Sequence, residues 1–178
     1  MRGLDNRRVL ETMTYTHIPP LSQVGFVVPN LKKALKEYSD FNDIGPWELF
    51  TFEPPRLRNT FVHGVKQTFS MKVAIHESKA AMLELIQPLE GHSIYNDFLD
   101  SRNGKGGIHH LASLVTGDLN KQVEYFKKQG VRVIQSGQYS LGDFHSAFFM
   151  LDTEKTLGTV IELLKLEGKP PPGEETYP

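Results

Sequence analysis

The stretches Met82-Leu83-Glu84-Leu85-Ile86 and Val160-Ile161-Glu162-Leu163-Leu164 decide how the rest of the chain is read. Each sets one glutamate at the centre of an apolar, β-prone run. A carboxylate there is costly unless it is paired, protonated or bound to a cation. Taken singly, such a glutamate ordinarily faces solvent from an edge strand. Two of them closing two similar segments point instead to a repeat.

The segments open alike as well. Gln23 precedes VGFVVPNLKKALKEY, and His110 precedes LASLVTGDLNKQVEYFKKQG. Each starts with a short apolar run and passes through a polar turn at Pro29-Asn30 or Thr116-Gly117-Asp118. Asn30 and Asp118 are suited to cap a helix. Leu31, Ala34, Leu35 and Tyr38, and then Leu119, Val123 and Phe126, recur at the spacing of one buried helical face. Gly130 is placed to stop the second helix. Between helix and closing strand each half has room for two more strands, expected at 47–52 and 67–75 and at 131–135 and 146–151. The order is β-α-β-β-β twice, an α+β fold of two tandem βαβββ modules.

The expected division is an N-terminal arm at 1–20, a first module at 21–90, and a linker with a short helix at 91–105. A second module follows at 106–166, then a proline- and charge-rich flexible tail at 167–178. At 178 residues the chain can bury a sizeable core unaided. With no cysteine, thiolate catalysis, Cys-zinc sites and iron–sulfur clusters are excluded. The net charge is -1 and basic residues are dispersed, so no nucleic-acid partner is expected. No apolar run approaches the roughly 20 residues of a membrane span. The opening MRGLDNRRVLETMTYTH lacks the apolar core of a signal peptide, which makes the cytoplasm the expected location.

Corresponding positions in two pseudo-symmetric halves can converge on one point. Gln23 with His110, and Glu84 with Glu162, are such positions. One amide oxygen, one imidazole and two carboxylates suit a divalent ion such as Zn, Ni, Co, Mn or Fe and leave room for water or substrate. Adjacent His109 and His110 would point to opposite strand faces, so His110 alone is expected in the site.

The stretch MLELIQPLEGHSIYNDFLDSRNGKGGIHHLASLV resembles methylmalonyl-CoA epimerases: an apolar strand ending in a Pro-Leu turn, a Ser-led short helix, then Gly-Ile-His-His. LGTVIELLKL resembles the closing strand of that family. The wider vicinal-oxygen-chelate superfamily includes glyoxalase I, extradiol dioxygenases and bleomycin-resistance proteins. The resemblance implies a curved mixed sheet around a metal cleft, with Gln23, Glu84, His110 and Glu162 as the metal ligands. Epimerases usually open with histidine where this chain has Gln23; the Gln/Glu/His/Glu set is similar to that of glyoxalase I. The epimerase mechanism uses two opposed carboxylates. Glu162 matches one, while the other belongs near Lys72 or Val73, where no acid stands. Arginines that would bind glutathione are replaced near Val27 and Gly106.

The implied activity is that of a metal-dependent isomerase or lyase acting on a small molecule, an acyl thioester or α-oxygenated carbonyl compound. A proton would move at the carbon beside the carbonyl, with Glu162 and Glu84 as catalytic carboxylates. Trp47 and His145 are candidate substrate-binding residues. Epimerase, glyoxalase-type lyase, ring-cleaving dioxygenase and non-catalytic binding protein are the alternatives. A homodimer is expected, because sheet edges must be covered.

Overall fold

The computed structural model describes residues 19–42, 44–79 and 81–178. The arm expected at 1–20 lies outside the described residues except for Pro19 and Pro20. The first module runs β1 (Leu21–Val27), α1 (Leu31–Asn42), β2 (Trp47–Phe52), β3 (Leu57–Val62), β4 (Val65–Lys66), β5 (Met71–Glu77) and β6 (Met82–Pro88). After α2 (Ile94–Ser101) come β7 (Gly107–Leu114), α3 (Leu119–Lys128), β8 (Val133–Leu141), β9 (Phe144–Leu151), α4 (Glu154–Leu157), β10 (Val160–Glu167) and β11 (Glu175–Tyr177). The capping residues act as expected. The Asn30 side chain accepts from the Lys33 amide at 2.8 Å, and that of Asp118 from the Lys121 amide at 3.1 Å. Gly130, at φ +81, turns the chain out of α3.

The described strands form one mixed sheet in the order β11-β2-β5-β6-β1-β7-β10-β9-β8-β3-β4. Within each module the opening strand lies parallel to the closing one, β1 to β6 and β7 to β10, and the modules meet where β1 pairs antiparallel with β7. The sheet is strongly curled but not closed. Six strands separate β2 from β8, yet the Phe52 and Tyr139 rings stand 4.3 Å apart across the open side. The β3–β4 hairpin leaves the first module after β2 and pairs with β8 of the second.

Alternation along the strands sorts side chains between two layers. On the convex side, α1 covers Trp47, Leu49 and Leu85, while α3 covers Leu151, Ile161 and Leu163. The concave side gathers Val27, Val73, Ile86, Tyr139, Phe148 and Val160 under α2. Burying each large apolar side chain contributes about 1.5–3 kcal/mol, so the three clusters hold the curl.

Strand bounds shift, most at β8, expected at 131–135 and found at Val133–Leu141, and two segments differ outright from expectation. The β3–β4 hairpin is an insertion within the first module. The tail expected to lack regular structure instead adds β11 to β2, with Glu175 opposite Leu49 and Tyr177 opposite Trp47. It is tied down by Arg56 to Glu174 at 3.2 Å and by Lys72 to Glu175 at 3.5 Å. Backbone pairing with an open sheet edge and ion pairs outweigh a proline-rich composition here. No helix among the described residues is long and apolar enough to cross a membrane.

Candidate active site

The strand registers of the two modules match. In the first, Gly25, two residues after Gln23, lies beside Glu84. In the second, Ala112, two residues after His110, lies beside Glu162. The β1–β7 pairing then sets Gly25 opposite His110 and Ala112 opposite Gln23. Each long polar side chain thus lies across from a small residue at the module junction. All four point to the concave side.

Gln23, His110 and Glu162 are buried, with His110 fully enclosed, and Glu84 is nearly so. His110 Nε2 stands 3.3 Å from Glu84 Oε2 and 3.3 Å from Glu162 Oε2. These contacts are ion-pair distances without hydrogen-bond geometry, and Nε2 is left without a hydrogen-bond partner. The side-chain oxygen of Gln23 is also buried and unpartnered. Among the described residues, no three His, Cys, Asp or Glu side chains form a ready-made metal cage. The three ionisable groups are instead drawn onto one another. Two orphaned polar atoms beside two buried carboxylates nevertheless fit a divalent cation: the ion would separate the carboxylates and satisfy both orphans.

Electrostatics follow from this crowding. Burial lowers the His110 pKa, but Glu162 and Glu84 outweigh it and hold the imidazolium up to about 10. Burial raises the Glu162 carboxyl, against the lowering effect of His110. Burial, and then the neighbouring His110 charge, push His109 well below its usual range.

His109 departs from expectation. The partners of Gly25 and Phe26 skip from His110 to Ile108, so a β-bulge leaves His109 unpaired on β7. The bulge overrides the alternation that would send its side chain to the other face. Its ring packs edge-on against Tyr95 and Phe98 of α2, and its Nδ1 lies 3.0 Å from Nδ1 of His110. Neutral His109 accepts there from the His110 Nδ1–H, which turns His110 Nε2 toward the carboxylates. A partner on the second ring nitrogen is how metal-binding histidines are commonly oriented.

Gln23, Glu84 and Glu162 open onto a cavity of about 150 Å³. Its walls are mostly apolar: Phe50, Phe52, Met71, Tyr139, Phe144 and Phe148. Tyr95 of α2 borders it, and its phenol is raised well above the usual range by burial and by Glu162 and Glu84. Pro170 and Pro171 of the tail form another wall.

Trp47 and His145, expected to bind substrate, fall elsewhere. Trp47 is wholly buried beneath α1 on the convex side, where its indole donates to the Ile44 carbonyl at 2.8 Å. It is the first residue of β2, and the concave positions are its neighbours Glu48, Phe50 and Phe52. His145 is exposed on the outer face of β9, 2.8 Å from the Ser140 hydroxyl, because Phe144 and Ser146 take the inward positions. Two carboxylates absent from the expected set do line the cavity: Glu48 on β2 and Glu77, the last residue of β5. β5 runs two residues beyond its expected end, which brings Glu77 onto the strand. Glu48 carries a signal in the alternation of WELFTF, where it shares a face with Phe50 and Phe52.

A curled sheet of paired βαβββ modules with a polar cluster at their junction defines a class of protein. The model of the Glyoxalase/Bleomycin resistance protein/Dioxygenase superfamily matches residues 22–149, and the chain belongs to that superfamily. No curated protein matches it. Among solved structures it is similar to a hypothetical protein from Bacillus halodurans C-125, with TM-score 0.60 and 22% identity over 85% of this chain and 97% of that one. It is also similar to the methylmalonyl-CoA epimerase of Mycobacterium tuberculosis, with TM-score 0.56 and 24% identity over 88% and 94%. A mutant of 4-hydroxymandelate synthase from Streptomyces coelicolor gives TM-score 0.57 and 17% identity over 88% of this chain and 51% of that one. At these identities the likeness establishes the fold.

Proposed function

We propose that this chain is a metal-dependent isomerase or lyase that moves a proton at the carbon beside a carbonyl. Its substrate is an acyl thioester or α-oxygenated carbonyl compound. The observation that carries the reading is the convergence of Glu84 and Glu162, from equivalent strands of the two modules, on His110 Nε2 at 3.3 Å each. Such an arrangement of charge and orphaned polar atoms beneath an apolar cavity is costly to bury and has no packing purpose.

Gln23, Glu84, His110 and Glu162 would hold one divalent ion of the Zn, Ni, Co, Mn or Fe group. When bound, that ion supplies positive charge that stabilises negative charge developing on a substrate oxygen. The chain's own residues do the rest. The aromatic walls exclude water and hold the organic part of the substrate. His109 fixes the His110 ring. Glu162 would accept the proton as the C–H bond breaks and its electron pair moves into the adjacent carbonyl. Return of a proton to the same carbon completes an isomerisation. Glu77 and Glu48, on strands of the other module, are placed to supply the second carboxylate that an epimerase-type exchange needs. The resemblance to epimerases puts that position near Lys72 or Val73, where no acid stands. We also expect a homodimer in solution, twice the 20.2 kDa chain mass by light scattering.

The test is solvent exchange. Metal-loaded protein is incubated in deuterated water with acyl thioesters and α-hydroxy carbonyl compounds, and the α-proton signal is followed by NMR. Deuterium entering at the α-carbon, lost in Glu162→Gln, is the expected result. No exchange with any of them, in protein shown to be metal-loaded, overturns the reading.

A further inference from the structure

The cavity carries more carboxylates than the proposed reaction uses. Four carboxylates border it, Glu84 and Glu162 at its floor and Glu48 and Glu77 elsewhere in its lining. No lysine, arginine or histidine lines it among the described residues. Arg56 lies beside the Tyr139 hydroxyl but is ion-paired with Glu174 at 3.2 Å. A divalent ion held at the floor is matched by Glu84 and Glu162, which leaves Glu48 and Glu77 as uncompensated negative charge. A substrate bearing its own free carboxylate would enter against that charge and find no lysine, arginine or histidine in the cavity lining to pair with it. Like charges brought together at a binding site are strongly unfavourable and so exclude wrong partners.

The remaining surface says what the cavity does accept. Phe50, Phe52, Phe144 and Phe148 present hydrocarbon. The Tyr139 hydroxyl is buried without a well-formed hydrogen bond, and the Gln23 oxygen is likewise unpartnered. Both residues line the cavity. A volume of about 150 Å³ bounded by apolar side chains holds a group of about benzene size.

Resting on the proton-transfer reading above, we infer that the group beside the reacting carbon is uncharged and apolar, up to about the size of a phenyl ring. Free-carboxylate acyl groups of the malonyl type are rejected. Glu48 and Glu77 are the specificity-determining residues that reject them, and the aromatic walls select hydrocarbon.

A matched pair of probes tests this on full-length, metal-loaded protein: the N-acetylcysteamine thioester of methylmalonic acid, and the same thioester with its free carboxylate methylated. Isothermal titration gives the affinity of each, and deuterium uptake at the α-carbon is read separately against a protein-free control. The neutral ester is expected to bind about tenfold more tightly or better. The Glu48→Gln, Glu77→Gln double variant should bring the two affinities together by improving the anion. Equal or tighter binding of the anion to the unmodified protein overturns the inference, as does failure of both probes to bind. Preference for the neutral ester in binding, without exchange at its α-carbon, leaves the inference standing and counts against the proton-transfer reading.

Discussion

Gly25 lies directly across the β1–β7 pair from His110, and a methyl group on its α-carbon would stand 2.0 Å from Cε1 of the imidazole. The ring occupies the space that a side chain on β1 would fill. Gly25→Ala is therefore expected to displace His110, costing on the order of 3 kcal/mol of stability as an overpacked core position does. Denaturant melts of the variant, with metal content measured alongside, check this. Unchanged stability with full metal content would show that the ring has another place to go.

His109 is expected to act on the metal without touching it. Its Nδ1 lies 3.0 Å from Nδ1 of His110, and loss of such an orienting partner typically lowers metal affinity about 10- to 100-fold. Zinc titration of His109→Phe, a change that keeps a flat ring between Tyr95 and Phe98, measures this. Affinity equal to the unmodified protein would reduce His109 to packing.

The pH dependence has a definite sign. His110 is held at about 10 in the folded protein, against 6.5 for an unperturbed imidazole. In the metal-free protein this raised value contributes stability that is complete below about 6.5 and is lost as the pH rises through about 10. A metal ion must displace the same proton, so apparent metal affinity should rise with pH until about 10, with a proton released on binding. Calorimetry in buffers of different ionisation enthalpy counts that proton. Affinity independent of pH between about 7 and 9 would contradict the assigned His110 protonation.

The tail is expected to seal the cavity. Gly168 sits at φ +80, and a Cβ there would meet the Asp143 carbonyl oxygen at 2.3 Å. Gly168→Ala combines left-handed strain, about 1–3 kcal/mol, with that clash, and should unseat Pro170, Pro171 and β11. Hydrogen exchange should quicken at Glu175–Tyr177 and at β2, while β7 and β10 keep their protection. Uniform protection in the variant would show that the tail is anchored elsewhere.

Much of this fold is legible in the residues themselves. Hydrophobic period and capping residues locate β1, α1, β7 and α3, and the paired glutamates locate the closing strands. The module junction can be inferred because equivalent positions in a repeat must meet if the repeats pair. What the residues do not reveal depends on contacts distant in sequence. LRNTFV alternates only loosely, and it is a strand because β8 offers it an edge. The tail GEETYP reads as solvated, and Glu175–Tyr177 becomes a strand only against β2. The bulge at His109 breaks the alternation on which its expected orientation rests. Trp47 and the cavity-lining Glu48 are adjacent, and a shift of one strand position exchanges the two faces of the sheet.

The central claim is that Gln23, Glu84, His110 and Glu162 hold one divalent ion together. Elemental analysis after equilibrium dialysis against zinc or cobalt tests it most directly, on the unmodified protein and on His110→Ala, Glu84→Gln and Glu162→Gln, each first shown to be folded. One ion per chain is expected in the unmodified protein, none in His110→Ala, and weakened binding in both glutamine variants, whose anionic ligands are gone. A folded His110→Ala protein that still carries one ion per chain would contradict the account.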